Sequence, residues 1–147
     1  MNEFLNELMD ENEVDEFLPP EEEFVGQDTE ALMYRGYLTD VVEVGNHEIR
    51  IRTLKIGEEL DAALVAQRYN DTPEAMRALA TAIVSAAIVT VDGRPLVEAL
   101  GPADATIQSK FDYIRKNWYW RSVGEVYKAY DQLLERSIKS LEELKKD

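Results

Sequence analysis

The chain has 147 residues, with 30 acids against 16 bases, no cysteine and a single histidine, for a formal net charge of −14. That length suits one domain with a useful core, and the missing cysteines exclude disulfides, thiolate metal sites and cysteine nucleophiles. The charge is concentrated: residues 1–30 hold twelve acids and no Lys or Arg, while the remainder carries 18 acids against 16 bases, a nearly balanced globular surface.

The leader MNEFLNELMDENEVDEF has neither a basic n-region nor a continuous apolar run, so no secretory signal or transit peptide is expected. Its hydrophobes are grouped, Phe4, Leu5, Leu8 and Met9 and then Val14, Phe17 and Leu18, before Pro19-Pro20 stops any helix. An acidic segment with periodic apolar anchors suits partial disorder alone and folding into a partner's groove. Residues 1–30 are therefore expected to form an acidic, partly disordered arm, with Phe4, Leu5, Leu8, Phe17 and Leu18 as partner-binding residues. The plainer alternative is a solvated tail whose hydrophobes pack loosely on its own domain. The sign of the charge argues against direct nucleic-acid binding, which rests on neutralising phosphates.

Residues 31–147 are expected to form an α+β domain: an N-terminal β-hairpin packed on a mainly α-helical body with a long C-terminal helix. The hairpin spans 37–54. YLTDVVEV and HEIRIRTL alternate with period two around Gly45-Asn46, a two-residue turn with glycine first. The register follows, with Val44 opposite His47, Val42 opposite Ile49 and Asp40 opposite Ile51 on one face, and Glu43 opposite Glu48, Val41 opposite Arg50 and Thr39 opposite Arg52 on the other. Val42, Val44, Ile49 and Ile51 face inward, and Arg50 is expected to relieve the Glu43–Glu48 clash on the diagonal. A lone hairpin is marginal in water, so it needs a helix beneath it or a neighbour at its edge.

Four helices follow, at about 57–69, 73–88, 103–117 and 118–144. Leu60, Leu64 and either Ala63 or Val65 are the expected buried stripe of the first, with Glu58 and Glu59 at its positive end. The second is apolar apart from the stripe Arg77, Thr81, Ser85, with Thr72 as cap and Pro73 opening it, so it is expected at the centre of the domain. Its β-branched end, Ile88 to Val91, and Asp92-Gly93 suggest a short extended piece and a turn. The run is a little short for a membrane span and carries Arg77, so no membrane association is expected. Ile107, Phe111 and Ile114 mark the inward side of the third helix. In the fourth, Val123, Val126 or Tyr127, Tyr130, Leu133 or Leu134, Ile138, Leu141 and Leu144 share a face.

Residues suited to catalysis are scarce. His47 sits in the hairpin turn, where an exposed strand end is the ordinary reading. A zinc site would need carboxylates almost alone, and DENEVDE lacks the spacing of a calcium loop. The glycines stand singly, so there is no phosphate loop, and Thr81 and Ser85 are expected to bond their own helix backbone. Neither an enzyme nor any metal or cofactor is expected. The densest binding-like feature is Trp118, Tyr119 and Trp120 among Arg115, Lys116 and Arg121, since aromatics and Arg dominate interface hot spots. Helix-junction packing is the competing reading for Trp118 and Trp120.

The phrases GYLTDVVEVGNHEIRIRTLKIGEELDAA, TAIVSAAIVTVDGRPL and SVGEVYKAYDQLLERSIKSLEEL, in that order, resemble tail assembly chaperones and related small tail or baseplate proteins of tailed bacteriophages. The likeness covers about residues 37–141 and leaves the acidic arm unmatched. It implies a non-enzymatic protein of tail morphogenesis that binds tape-measure, tube or baseplate components in the host cytoplasm, as a chaperone or as a subunit retained in the virion tail, with homo-oligomerisation open. The rival is an acidic inhibitor or adaptor whose arm acts as a nucleic-acid mimic or docking peptide.

Overall fold

The computed structural model describes residues 21–97 and 106–146, with side chains placed for 27–97 and 106–145. In chain order the elements are α1 (Glu21–Arg35), β1 (Thr39–Val44), β2 (His47–Arg52), α2 (Ile56–Val65), a 3-10 turn (Gln67–Tyr69), α3 (Ala75–Ala87), β3 (Ile88–Val91), α4 (Ile107–Asn117) and α5 (Trp120–Lys146). The architecture is α+β, a small antiparallel sheet on a helical body whose last helix is 27 residues long.

The hairpin forms in the expected register, from Val44 opposite His47 to Thr39 opposite Arg52. Gly45 supplies the positive φ, 62°, that a glycine-first turn requires. The extended piece after α3 becomes a third strand, β3, antiparallel to β2, with an irregularity between Arg50 and Ile51. It satisfies the second edge of β2 and turns the marginal hairpin into a sheet. Asp92 and Gly93 follow with φ of 53° and 77°, and Val91 and Arg94 exchange backbone hydrogen bonds of 2.8 and 3.0 Å across them. Asp tolerates the left-handed region better than most side chains, which explains an Asp-Gly pair here.

The sheet's inner face, with Ile49, Ile51 and Ile88 buried and Val42 and Val44 beside them, packs on Val123, Val126, Tyr130 and Leu133 of α5. A second cluster holds Phe111 of α4 against Ala62, Ala66, Ala78 and Ala82, where α2 and α3 meet through small side chains. Phe111 and Ile114 are buried as expected. Thr81 and Ser85 donate to the carbonyls of Arg77 and Thr81, each at 2.7 Å.

Several boundaries and faces differ from expectation. The regular helix α3 starts at Ala75. Its N-cap position is Glu74 and not Thr72, and Pro73 precedes the helix: Thr72 forms a local turn before it, its Oγ1 accepting the Glu74 N–H at 3.3 Å and its carbonyl the Ala75 N–H at 3.2 Å. The helix is enclosed only toward its C-terminal end, for Met76 is 79% exposed. The helix predicted over 57–69 breaks after Val65 into the 3-10 turn. Thr106 caps α4 by accepting the Ser109 N–H at 3.1 Å, and residues 103–105 lie outside the described residues. Trp118 is extended and closes α4, so α5 begins at Trp120 and not at 118.

The boundary expected at residue 30 falls inside an element. Glu21–Arg35 is one helix, α1, which lies along α5. Asp28, counted with the arm by its charge, is buried and accepts from Arg136 Nη2 at 2.7 Å and Nε at 3.1 Å. The buried face of α5 also departs from the apolar one. It passes through Ser137 and Ser140, leaving Ile138 and Leu141 exposed, because small side chains admit α1 closely. No described helix is long and apolar enough to cross a membrane.

Candidate functional site

Two surfaces stand out, and the first is built by the way the alanines of α2 and α3 pack. Ala62 in α2 and Ala66, its C-cap, are 0% and 2% exposed, while Ile56, Leu60 and Leu64 are 78%, 61% and 65% exposed. The expectation that Leu60 and Leu64 are buried is therefore wrong. Positions two apart lie about 200° apart on a helix with 3.6 residues per turn. Burying Ala62 and Ala66 thus turns Leu60 and Leu64 outward. The choice is made by α3, whose Ala78 and Ala82 present a flat surface that only another small-residue face can approach closely. The residues at i, i+4 and i+8 then form one continuous apolar ridge. Its N-terminal end is pinned to the sheet. Glu58 forms a two-pronged ion pair with Arg52, one prong 3.2 Å long, and also accepts the Lys55 N–H at 3.1 Å. The Arg52 hydrogen bond is the main reason the Glu58 carboxyl sits below the usual carboxylate range.

The second surface is an open groove of about 1020 Å³ between the hairpin turn, the Asp92–Gly93 turn and the α4–α5 junction. Trp118 and Tyr119 line it with Tyr113, His47 and Leu96. Trp118 is half-buried against the main core, as the packing alternative requires, and Tyr119 stands 83% exposed on the rim. Trp120 is not in the wall. Arg77 of α3 stacks on it instead, 5.0 Å from the ring centroid. Of the expected partner-binding residues, the structure brings Trp118 and Tyr119 together and sets Trp120 apart. Phe4, Leu5, Leu8, Phe17 and Leu18 lie outside the described residues.

His47 is exposed at its strand end, as expected, but it has a partner that the sequence did not reveal. Its Nδ1 lies 2.7 Å from Asp92 Oδ2, and Asp92 Oδ1 accepts the Glu48 N–H at 2.8 Å. These bonds, His47 first, hold the Asp92 carboxyl below its usual range. A carboxylate only accepts, so His47 Nδ1 carries the proton and donates it. The pair joins two turns across 45 residues of chain. Among the described residues no group of three or more His, Cys, Asp or Glu is placed to hold a metal ion.

Comparison of the chain with family models, curated proteins and solved structures returns no match.

Proposed function

We propose that this is a non-enzymatic binding protein of bacteriophage tail morphogenesis, of the tail assembly chaperone type, which covers apolar segments of tape-measure or tube proteins before they polymerise in the host cytoplasm. The observation that carries the reading is the Ile56–Leu60–Leu64 ridge. Burying a side chain of this size is worth about 2 kcal/mol, so three left in water forgo about as much as the whole stability of a small domain. A contiguous apolar surface kept at that cost is the usual mark of a protein-binding face. The ridge begins within LKIGEELDAA, the phrase that carries part of the likeness to tail chaperones. The aromatic groove at Trp118 and Tyr119 is a second contact surface of the right composition.

The test is co-purification from cells expressing the tagged chain with the tail proteins encoded beside it. The wild-type chain is expected to bring down a tape-measure, tube or baseplate protein, and Leu60→Ser with Leu64→Ser to lose it. Recovery of no tail component would refute the proposal. Mass spectrometry of purified particles separates its two forms: absence means a chaperone, stoichiometric presence a baseplate or tail subunit.

A further inference from the structure

The outer face of the sheet carries a feature that the proposed function does not use. Arg35 from the end of α1, Arg50 and Arg52 from β2 and Lys110 from α4 converge on a cavity of about 470 Å³, with Tyr37 and Thr39 as hydroxyl donors beside them. Among the described residues no carboxylate lines it, although acids outnumber bases almost two to one in the chain. Arg50 does not relieve the Glu43–Glu48 pair as expected: among the described residues neither it nor Arg35 has an ion-pair partner within 4.0 Å. Arg52 is held in place by Glu58 and by the Tyr37 ring, whose centroid lies 5.6 Å from the guanidinium carbon. Lys110 is half-buried and donates to the Ile88 carbonyl at 3.2 Å. Ala86, Ile88 and Val89 complete an apolar wall.

We propose that this cavity binds a small organic phosphate, a multiply charged phosphate group held by Arg35, Arg50 and Lys110 with its less polar part against Tyr37 and Val89. Arginine forks match phosphate oxygens two at a time, and three cations without an ion-pair partner among the described residues, in so small a volume, suit an anion whose charge is concentrated. An acidic peptide would spread its charges along the strand and run onto Glu43 and Glu48, which face each other further along the same surface. A nucleic acid would meet the chain's large negative charge. Burial first and the neighbouring Arg52 second push the Lys110 ammonium below the usual lysine range.

The experiment is calorimetric titration of the full chain with pyrophosphate and with ADP at low ionic strength. Saturable one-site binding is expected, weakened roughly tenfold or more by Arg50→Ala, an exposed position whose loss leaves the fold intact, because a charge-assisted hydrogen bond is lost. Arg35→Ala should act in the same direction, and Lys116→Ala, outside the cavity, should change nothing. No saturable heat with either probe would overturn the proposal, as would equal affinity in wild type and Arg50→Ala. It would also be overturned if a peptide of residues 1–20 bound in an Arg50-dependent manner that pyrophosphate could not displace.

Discussion

Tyr130 is buried in the main core, yet its hydroxyl finds Glu59 Oε1 at 2.8 Å. Desolvation first and this hydrogen bond second raise its pKa above the ordinary tyrosine range. The unfolded chain ionises that phenol near pH 10, whereas the native state keeps it protonated. The stability it contributes is therefore complete below about pH 10 and is lost as the pH climbs above that value. Thermal denaturation followed from pH 9 upward should show melting temperature falling above pH 10 in wild type, and falling less steeply in Tyr130→Phe. Asp28 and Arg136 make a second residue-scale case. Asp28 is buried and Arg136 only half-buried, so Arg136→Met leaves the Asp28 charge uncompensated and is expected to cost about 2 kcal/mol in urea denaturation, less than for a fully buried pair. The same substitution tests whether α1 belongs to the folded body, since Arg136 is the side chain that ties Asp28 to α5.

At the scale of elements, α2 separates what packs from what is greasy. Leu60→Ser and Leu64→Ser, both at exposed positions, should change the unfolding free energy measured in urea by no more than about 0.5 kcal/mol each. Ala62→Leu should cost about 1–3 kcal/mol by overfilling the contact with Ala78 and Ala82. The opposite ranking would restore the stripe expected from side-chain size. This helix also marks the limit of what could be read from the residues. The hairpin register was legible down to individual pairs because a period of two and a two-residue turn leave one solution. The extended piece at Ile88 was legible from β-branching, but its pairing with β2 was not, since nothing local records which edge a strand joins. The face of α2 was misread because partner shape, not hydrophobicity, chose it. The signal was present in Ala62, Ala66, Ala78 and Ala82 at a spacing of four, which only a comparison of two helices reveals. The late turns of α5 were misread likewise: Ser137 and Ser140 are buried where Ile138 and Leu141 were expected. Of the candidate groove, Trp118 and Tyr119 stand out by their density in the sequence and do line it, whereas the His47–Asp92 contact spans a distance no local pattern encodes.

At the scale of the molecule, the chain combines a well-filled core with large side chains left outside it. Ile56, Leu60, Leu64, Met76 and Tyr119 are all more than 60% exposed, while Ala62, Ala82, Ala87, Ser85 and Ser140 are fully enclosed. A fold selected for stability alone would exchange these positions. One whose task is to hold the apolar surface of another protein needs the large residues outside and pays with small ones inside. The acids of residues 1–30 account for most of the net charge of −14, and high net charge in general opposes aggregation. The central claim is that the α2 ridge is a working surface for a protein partner, and it is tested most directly by the fraction of tube or tape-measure protein that stays soluble on co-expression. The account predicts a high soluble fraction with the wild-type chain and a collapse toward the partner-alone level with Leu60→Ser and Leu64→Ser, at an unchanged melting temperature of the variant. Equal solubility with wild type and variant would contradict it.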